Sequence, residues 1–248
     1  MPGRLSASVG ETAALNALRG RAVNYDPALA PQDGRPAGHW HVDAQDTVLA
    51  REPPGPPVPG QAWDIACSLV GGYEFCEPRI LRAIYRRGDG LLGRDMLLEG
   101  RFFGLRFYFG VRVTEVIDET REEAGAVERV WGWGYQTLAG HLEQGRLRYE
   151  VIKNLDDGRV IFRISGYSRR APVANPVIRL GLRLFGRGTQ LRFYRAAQRR
   201  LRDLVRAAQA GHPLPVPVAR ADGLVIAPSG ATSRRPDRLA RQYVHPGR

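Results

Sequence analysis

The chain has 248 residues, 43% of them hydrophobic, which suffices for one sizeable core with appendages rather than for two full domains. No apolar run approaches the length of a membrane span, and the opening MPGRLSASVGETAALNALRG has no signal-peptide core, so a cytoplasmic protein without a membrane span is expected. Two cysteines, Cys67 and Cys76, exclude a disulfide framework; free thiols are expected, with a redox pair as the alternative.

The formal net charge of +12 is unevenly placed. Residues 159–210 hold thirteen Arg against the single acid Asp203, and residues 211–248 hold six Arg against Asp222 and Asp237. The first 158 residues are therefore net acidic. Lys153 is the only lysine, a residue choice expected of a GC-rich bacterial genome. Arg is then the default cation, which weakens any inference from Arg alone to a phosphate ligand.

Residues 1–20 show little pattern and are expected to form a flexible arm with one short helix around Glu11 to Leu18. A short strand follows at Trp40 to Val42, then a Pro-rich strap at residues 52–60, stiff and poor in backbone donors. Trp63, Ala66, Cys67 and Val70 recur at helical spacing, and Gly71-Gly72 is a fitting stop. From Ile80 the period becomes twofold. In FFGLRFYFGVRVTEVIDE the residues Phe103, Leu105, Phe107, Phe109, Val111 and Val113 are apolar at every second position, and the alternation recurs in VWGWGYQTL, RLRYEVIK and RVIFRISGY. Asp157-Gly158 signals a tight hairpin between the last two. Strands on such short connections imply an antiparallel meander with one face free to be covered.

Asn175-Pro176 is a helix start. The helix runs to about Ala210, with Tyr194, Ala197, Leu201, Leu204, Val205 and Ala208 on one stripe, Arg elsewhere, and a kink or break expected at Gly186 to Gly188. Residues 211–248 lack a sustained period and are expected to form a disordered Arg/Pro-rich tail. Residues 21–210 thus make an α+β domain: a curved antiparallel sheet of about six to seven strands gripping a long C-terminal helix, since each has one apolar face and nothing else is large enough to bury it.

The series Tyr135-Gln136-Thr137-Leu138-Ala139-Gly140-His141-Leu142-Glu143-Gln144-Gly145, followed by Tyr149-Glu150-Val151, Phe162-Arg163-Ile164 and Tyr167-Ser168-Arg169, resembles the uncharacterised domain-of-unknown-function family nineteen-ninety. The agreement spans about Ile80 to Arg206. The resemblance implies the helix-grip fold of START-like and birch-pollen-allergen-like proteins, with an apolar cavity between sheet and helix. It carries no established reaction.

Trp131, Trp133, Tyr135 and Thr137 share one face of a strand, with Gly132 and Gly134 leaving the other bare. Together with Phe107, Phe109 and Arg169 they are candidate ligand-binding residues; the alternative is that the rings are packed core. His141 and Glu143, with Tyr135, are candidate acid–base groups, the alternative being a hairpin lock. No nucleophile or orienting third group accompanies them. His39, His41 and Asp43 would project to one side of a strand as a partial metal site, but no further ligand announces itself. There is no phosphate-loop, dinucleotide or Cys-x-x-Cys fingerprint, so no cofactor is expected. Three functions fit: binding of a hydrophobic or lipid-like small molecule, a cyclase or dehydratase type of enzyme, and binding of nucleic acid or an anionic membrane through the Arg-rich helix. Replacing His141 by Ala separates the first two, since it abolishes turnover in an enzyme and spares affinity in a binder.

Overall fold

In the computed structural model, which describes residues 7–31, 39–102, 105–172, 176–231 and 242–243, the alternating segments join into one sheet. Its strands are β1 (His41–Arg51), β2 (Leu81–Arg86), β3 (Asp95–Phe102), β4 (Leu105–Glu123), β5 (Ala126–Thr137), β6 (Glu143–Asn154), β7 (Arg159–Arg170), β8 (Val218–Ala219) and β9 (Leu224–Ala227). They lie in the order β1-β7-β6-β5-β4-β3-β2-β9-β8, all antiparallel, and a two-residue β10 (Gln242–Tyr243) runs parallel to β4. Three α-helices accompany it: α1 (Ala7–Asn16), α2 (Ala62–Gly71) and α3 (Pro176–Gln209). The fold is the helix-grip fold. Among the described residues no helix is long and apolar enough to cross a membrane.

The concave face carries α2 and α3. Tyr194, Ala197, Leu201 and Val205 of α3 are buried against Val111 and Val113 of β4, Trp133 of β5, Tyr149 of β6 and Phe162 of β7, in one cluster with Leu69 and Val70 of α2. The expected helical stripe is thus the buried one. The apolar alternation of β4 holds only as far as Val113. A bulge between Val113 and Glu115 shifts the register, so Val116 now falls opposite Trp133 while Glu115 turns to Arg148 on the convex face. Gly132 permits close approach of strands: a Cβ there would sit 2.2 Å from the Tyr149 carbonyl oxygen.

Several expectations are corrected. The N-terminal arm is docked: Leu15 and Leu18 are buried with Ile84, Leu97, Leu138 and Leu224 on the convex face. Helix α3 runs through Gly186 to Gly188 as one continuous span, without the expected break. Asn175, its expected cap, lies outside the described residues. The first part of the tail belongs to the sheet, with β9 pairing β2 and all four of its residues buried. This segment supplies the two strands beyond the six to seven expected. Gly188 has open space where a Cβ would be, so Gly188→Ala is expected to stabilise the protein by about 0.5–1 kcal/mol, read from the midpoint of chemical denaturation.

Neither cysteine is in a disulfide, and burial pushes the Cys67 thiol well above its ordinary range, which leaves it unreactive.

Candidate ligand site at the rim of the sheet

The segment Tyr135 to Gly145 closes the β5–β6 hairpin, and most of its polar groups hold that turn. Thr137 Oγ1 accepts from the Gly145 N–H at 2.9 Å and donates to Asn24 Oδ1 at 2.6 Å, while Asn24 Nδ2 donates to the Glu143 carbonyl at 2.9 Å. Gln144 Nε2 donates to the Asn24 carbonyl and its Oε1 accepts from Arg169 Nε at 2.7 Å. Gly140 takes a φ of +92°, which any L side chain would adopt only under strain. His141 Nδ1 accepts from the Glu143 N–H at 2.9 Å, and its ring lies 5.0 Å from that of Phe109. Burial lowers the His141 pKa to about 4, so its imidazole is neutral at physiological pH and, with Nδ1 accepting, carries its proton on Nε2.

Glu143 has a different setting. The odd positions of β6 face α3, and Glu143 opens a series continued by Leu147, Tyr149, Val151 and Lys153. Burial raises its carboxyl above the usual carboxylate range, opposed by the charges of Arg187 on α3 and Arg170 on β7. Among the described residues no side chain or backbone N–H donates to this carboxylate.

The groups around Glu143 come from three more elements. Arg187 pairs with Asp43 of β1 and donates to Gln190 Oε1 at 2.8 Å, and Gln190 Nε2 donates to Ser168 Oγ of β7 at 3.1 Å. These bonds tie the first described turns of α3 across the β1–β7 edge. Tyr194, two turns further on, and Tyr135 hold their phenol protons tightly, chiefly through burial; Tyr194 also feels Asp43, Tyr135 and Glu143, and Tyr135 feels Glu143. Deeper in the same face the phenols of Tyr73 and Tyr149 are also held protonated by burial, and each influences the other. Neither hydroxyl has a partner in hydrogen-bonding geometry.

The remaining candidates are dispersed. Trp133 donates its indole N–H to the Val70 carbonyl at 3.1 Å, and Trp131 lies over Gly71, so both indoles meet α2. Trp133, Tyr73, Phe75 and Tyr149 form a packed set with ring centroids 4.5–5.9 Å apart for neighbouring pairs. Phe109 packs against the core beside Gly100. Phe107 lies on β4, and its side chain is outside the described residues. Arg169 is corrected to the convex face, where it covers the Trp40 ring at 4.3 Å; Ser168, its neighbour, is the residue that faces α3. His39 and His41 are exposed and Asp43 is taken up by Arg187, so the three do not converge; among the described residues no three His, Cys, Asp or Glu side chains are placed to hold a metal.

The profile of the family described as Domain of unknown function (DUF1990) matches residues 24–200. The chain belongs to this family. The matched span of this DUF1990 protein begins at Asn24, whose side chain holds the hairpin, and includes every group of the Glu143 rim. No curated protein matches the chain. Among solved structures it is similar to major latex-like protein 151 of Panax ginseng, at 12% identity over 67% of this chain and 97% of that one, with a TM-score of 0.39. It is similar also to the Zhui aromatase/cyclase of Streptomyces sp. R1128, at 13% identity, 75% and 99% coverage and a TM-score of 0.43. A norcoclaurine synthase point mutant of Thalictrum flavum, in complex with a transition-state analogue, gives 13%, 68% and 96%, and 0.42.

The rim residues Tyr194, Arg187 and Ser168, and Tyr73 deeper in the face, were not singled out from the sequence as site residues. Tyr194 was visible as a member of the helical stripe and as a ring beside Arg195, and Ser168 sits one residue from the candidate Arg169.

Proposed function

We propose that this DUF1990 protein binds a hydrophobic or lipid-like small molecule between the sheet and α3, with a hydrogen-bond donor of the ligand meeting Glu143. The reading rests on the Glu143 carboxylate: it is half-buried at the mouth of an apolar face, its carboxyl is raised by desolvation, and it has no donor among the described residues. A half-buried carboxylate has lost part of its hydration, and a bound hydroxyl or amine would replace it. Phe109, Leu147, Tyr135 and Tyr194 would meet the apolar body. The Tyr73 and Tyr149 hydroxyls would take a second polar group or water.

Native mass spectrometry of the purified protein, followed by organic extraction, is expected to show a retained small molecule bearing a hydroxyl or amine. A donor group needs the ionised acceptor, so affinity should rise with pH through the titration of Glu143, above the ordinary carboxylate range. Glu143→Gln should weaken binding about tenfold and remove that pH dependence. A protein at its apo mass that takes up none of a panel of apolar amines and phenols would overturn the reading. The raised carboxyl also favours a second reading, a cyclase or dehydratase type of enzyme with Glu143 and Tyr135 moving protons. His141, neutral and bound to the hairpin backbone, would then be structural, and His141→Ala would leave turnover standing where Glu143→Gln abolishes it.

A further inference from the structure

The Arg residues of α3 whose side chains are described divide into two sets. Arg187, Arg200 and Arg202 reach back to the fold: Arg187 to Asp43, Arg200 Nε to the Glu74 carbonyl at 2.8 Å, and Arg202 to Thr47 and the Val48 carbonyl. Arg192, Arg195, Arg199 and Arg206 do not. All four are exposed, and none has a hydrogen bond or ion pair among the described residues. At about 100° per residue they fall within one stripe on the solvent side of α3, from Arg192 to Arg206 or about 21 Å of helix. Only Asp203 lies at its edge. A solvated face ordinarily mixes both signs, as the convex sheet face does with Glu115 and Arg148 or Asp46 and Arg163.

A second feature continues from the stripe. Helix α3 ends with the Gly211 N–H donating to the Ala208 carbonyl at 2.9 Å and the His212 N–H to the Ala207 carbonyl at 3.0 Å. The Pro-rich segment beyond it exposes Leu214 at 38% and Val216 at 72%, and is anchored again where Pro217 packs on Gly72 of α2. An apolar loop fixed at both ends therefore follows directly on the cationic stripe.

We infer that this face docks the protein on an anionic lipid surface, the four guanidinium groups meeting lipid phosphates and Leu214 and Val216 entering the headgroup region. Charge and apolar insertion together are the pair of signals that reversible membrane attachment requires. Single-stranded nucleic acid is the poorer occupant, because the aromatic neighbours that would stack on bases, Phe193 and Tyr194, are buried. The inference is independent of the Glu143 site, which lies on the opposite side of α3.

The test is cosedimentation of the full chain with vesicles of phosphatidylcholine alone and of phosphatidylcholine with phosphatidylglycerol. Binding is expected only to the anionic vesicles, falling steeply between about 0.1 and 0.5 M salt. The variant R192Q/R195Q/R199Q/R206Q should lose about a thousandfold in partitioning, roughly fivefold per charge, with its melting temperature unchanged. The variant L214S/V216S should lose about tenfold more at high salt than at low salt. Failure to bind anionic vesicles at low salt, or equal binding by the quadruple variant, overturns the inference. Tighter binding to a duplex or single-stranded RNA than to the vesicles at the same salt also overturns it, and gives the face to nucleic acid.

Discussion

Removing residues 211–248 is expected to lower the melting temperature by more than about 10 °C and to leave a protein prone to aggregate. The pattern of the sequence suggests the opposite, since this stretch has no period and many Pro and Gly. In the structure Leu224, Val225, Ile226 and Ala227 are all buried, and Ala231 with them. Burying three branched side chains of this size contributes about 5–9 kcal/mol, an upper figure for an unfolded chain that is already partly compact. That is comparable with the whole stability of a typical domain. Two polar contacts would go as well. Glu74, 1% exposed, accepts from the Ser229 N–H at 2.9 Å and from Ser229 Oγ at 3.0 Å, and Arg220 shares the carboxylate of Glu11 with Arg82. Truncation also leaves β2 as a bare edge. The point variant Ile226→Asp checks the same claim with the chain intact, and thermal unfolding of either protein at the wild-type temperature would show that the sheet ends at β2.

How far the fold was legible follows from how each segment is buried. Strands β4 to β7 alternate because one face meets α3 and the other meets water, and α3 shows a stripe for the same reason. Leu224-Val225-Ile226-Ala227 is buried on both faces, which erases alternation and leaves a four-residue apolar run between Asp222-Gly223 and Pro228. Those bounding turn residues were the available signal. The register shift at Val113 to Glu115 was not legible, because a bulge is fixed by the partner strand. In the proposed site, Glu143 and Tyr135 belong to the hairpin motif that the sequence singles out. The role of His141 was not, because its neutrality comes from burial under Phe109, which is distant in sequence. Arg187 and Tyr194 enter the rim only through the angle at which α3 crosses the sheet.

Lys153→Met is expected to destabilise the protein by about 3–5 kcal/mol, as removing one partner of a buried ion pair does. Lys153 continues the inward series of β6 and its side chain is fully buried; Nζ donates to Glu52 Oε2 at 2.6 Å and to the Pro56 carbonyl at 3.1 Å. The other oxygen of Glu52 accepts from the Trp63 N–H at 2.7 Å, serving the start of α2, whose N-cap Gln61 makes no side-chain cap. One pair therefore fixes the Pro-rich strap, α2 and β6 together, and α2 is the helix against which Trp131 and Trp133 pack. In a chain whose other side-chain cations are all Arg, this position takes a compact ammonium, which fits a closed site that a planar guanidinium would overfill. Lys153→Arg should thus also lower the melting temperature although the charge is kept. Adding Glu52→Gln to Lys153→Met should restore more than half of the loss, because Gln is neutral yet still accepts from Trp63. Urea unfolding measures all three variants. If Lys153→Met cost less than about 1 kcal/mol, the pair would have to be solvated, and the strap would be held by something other than this contact.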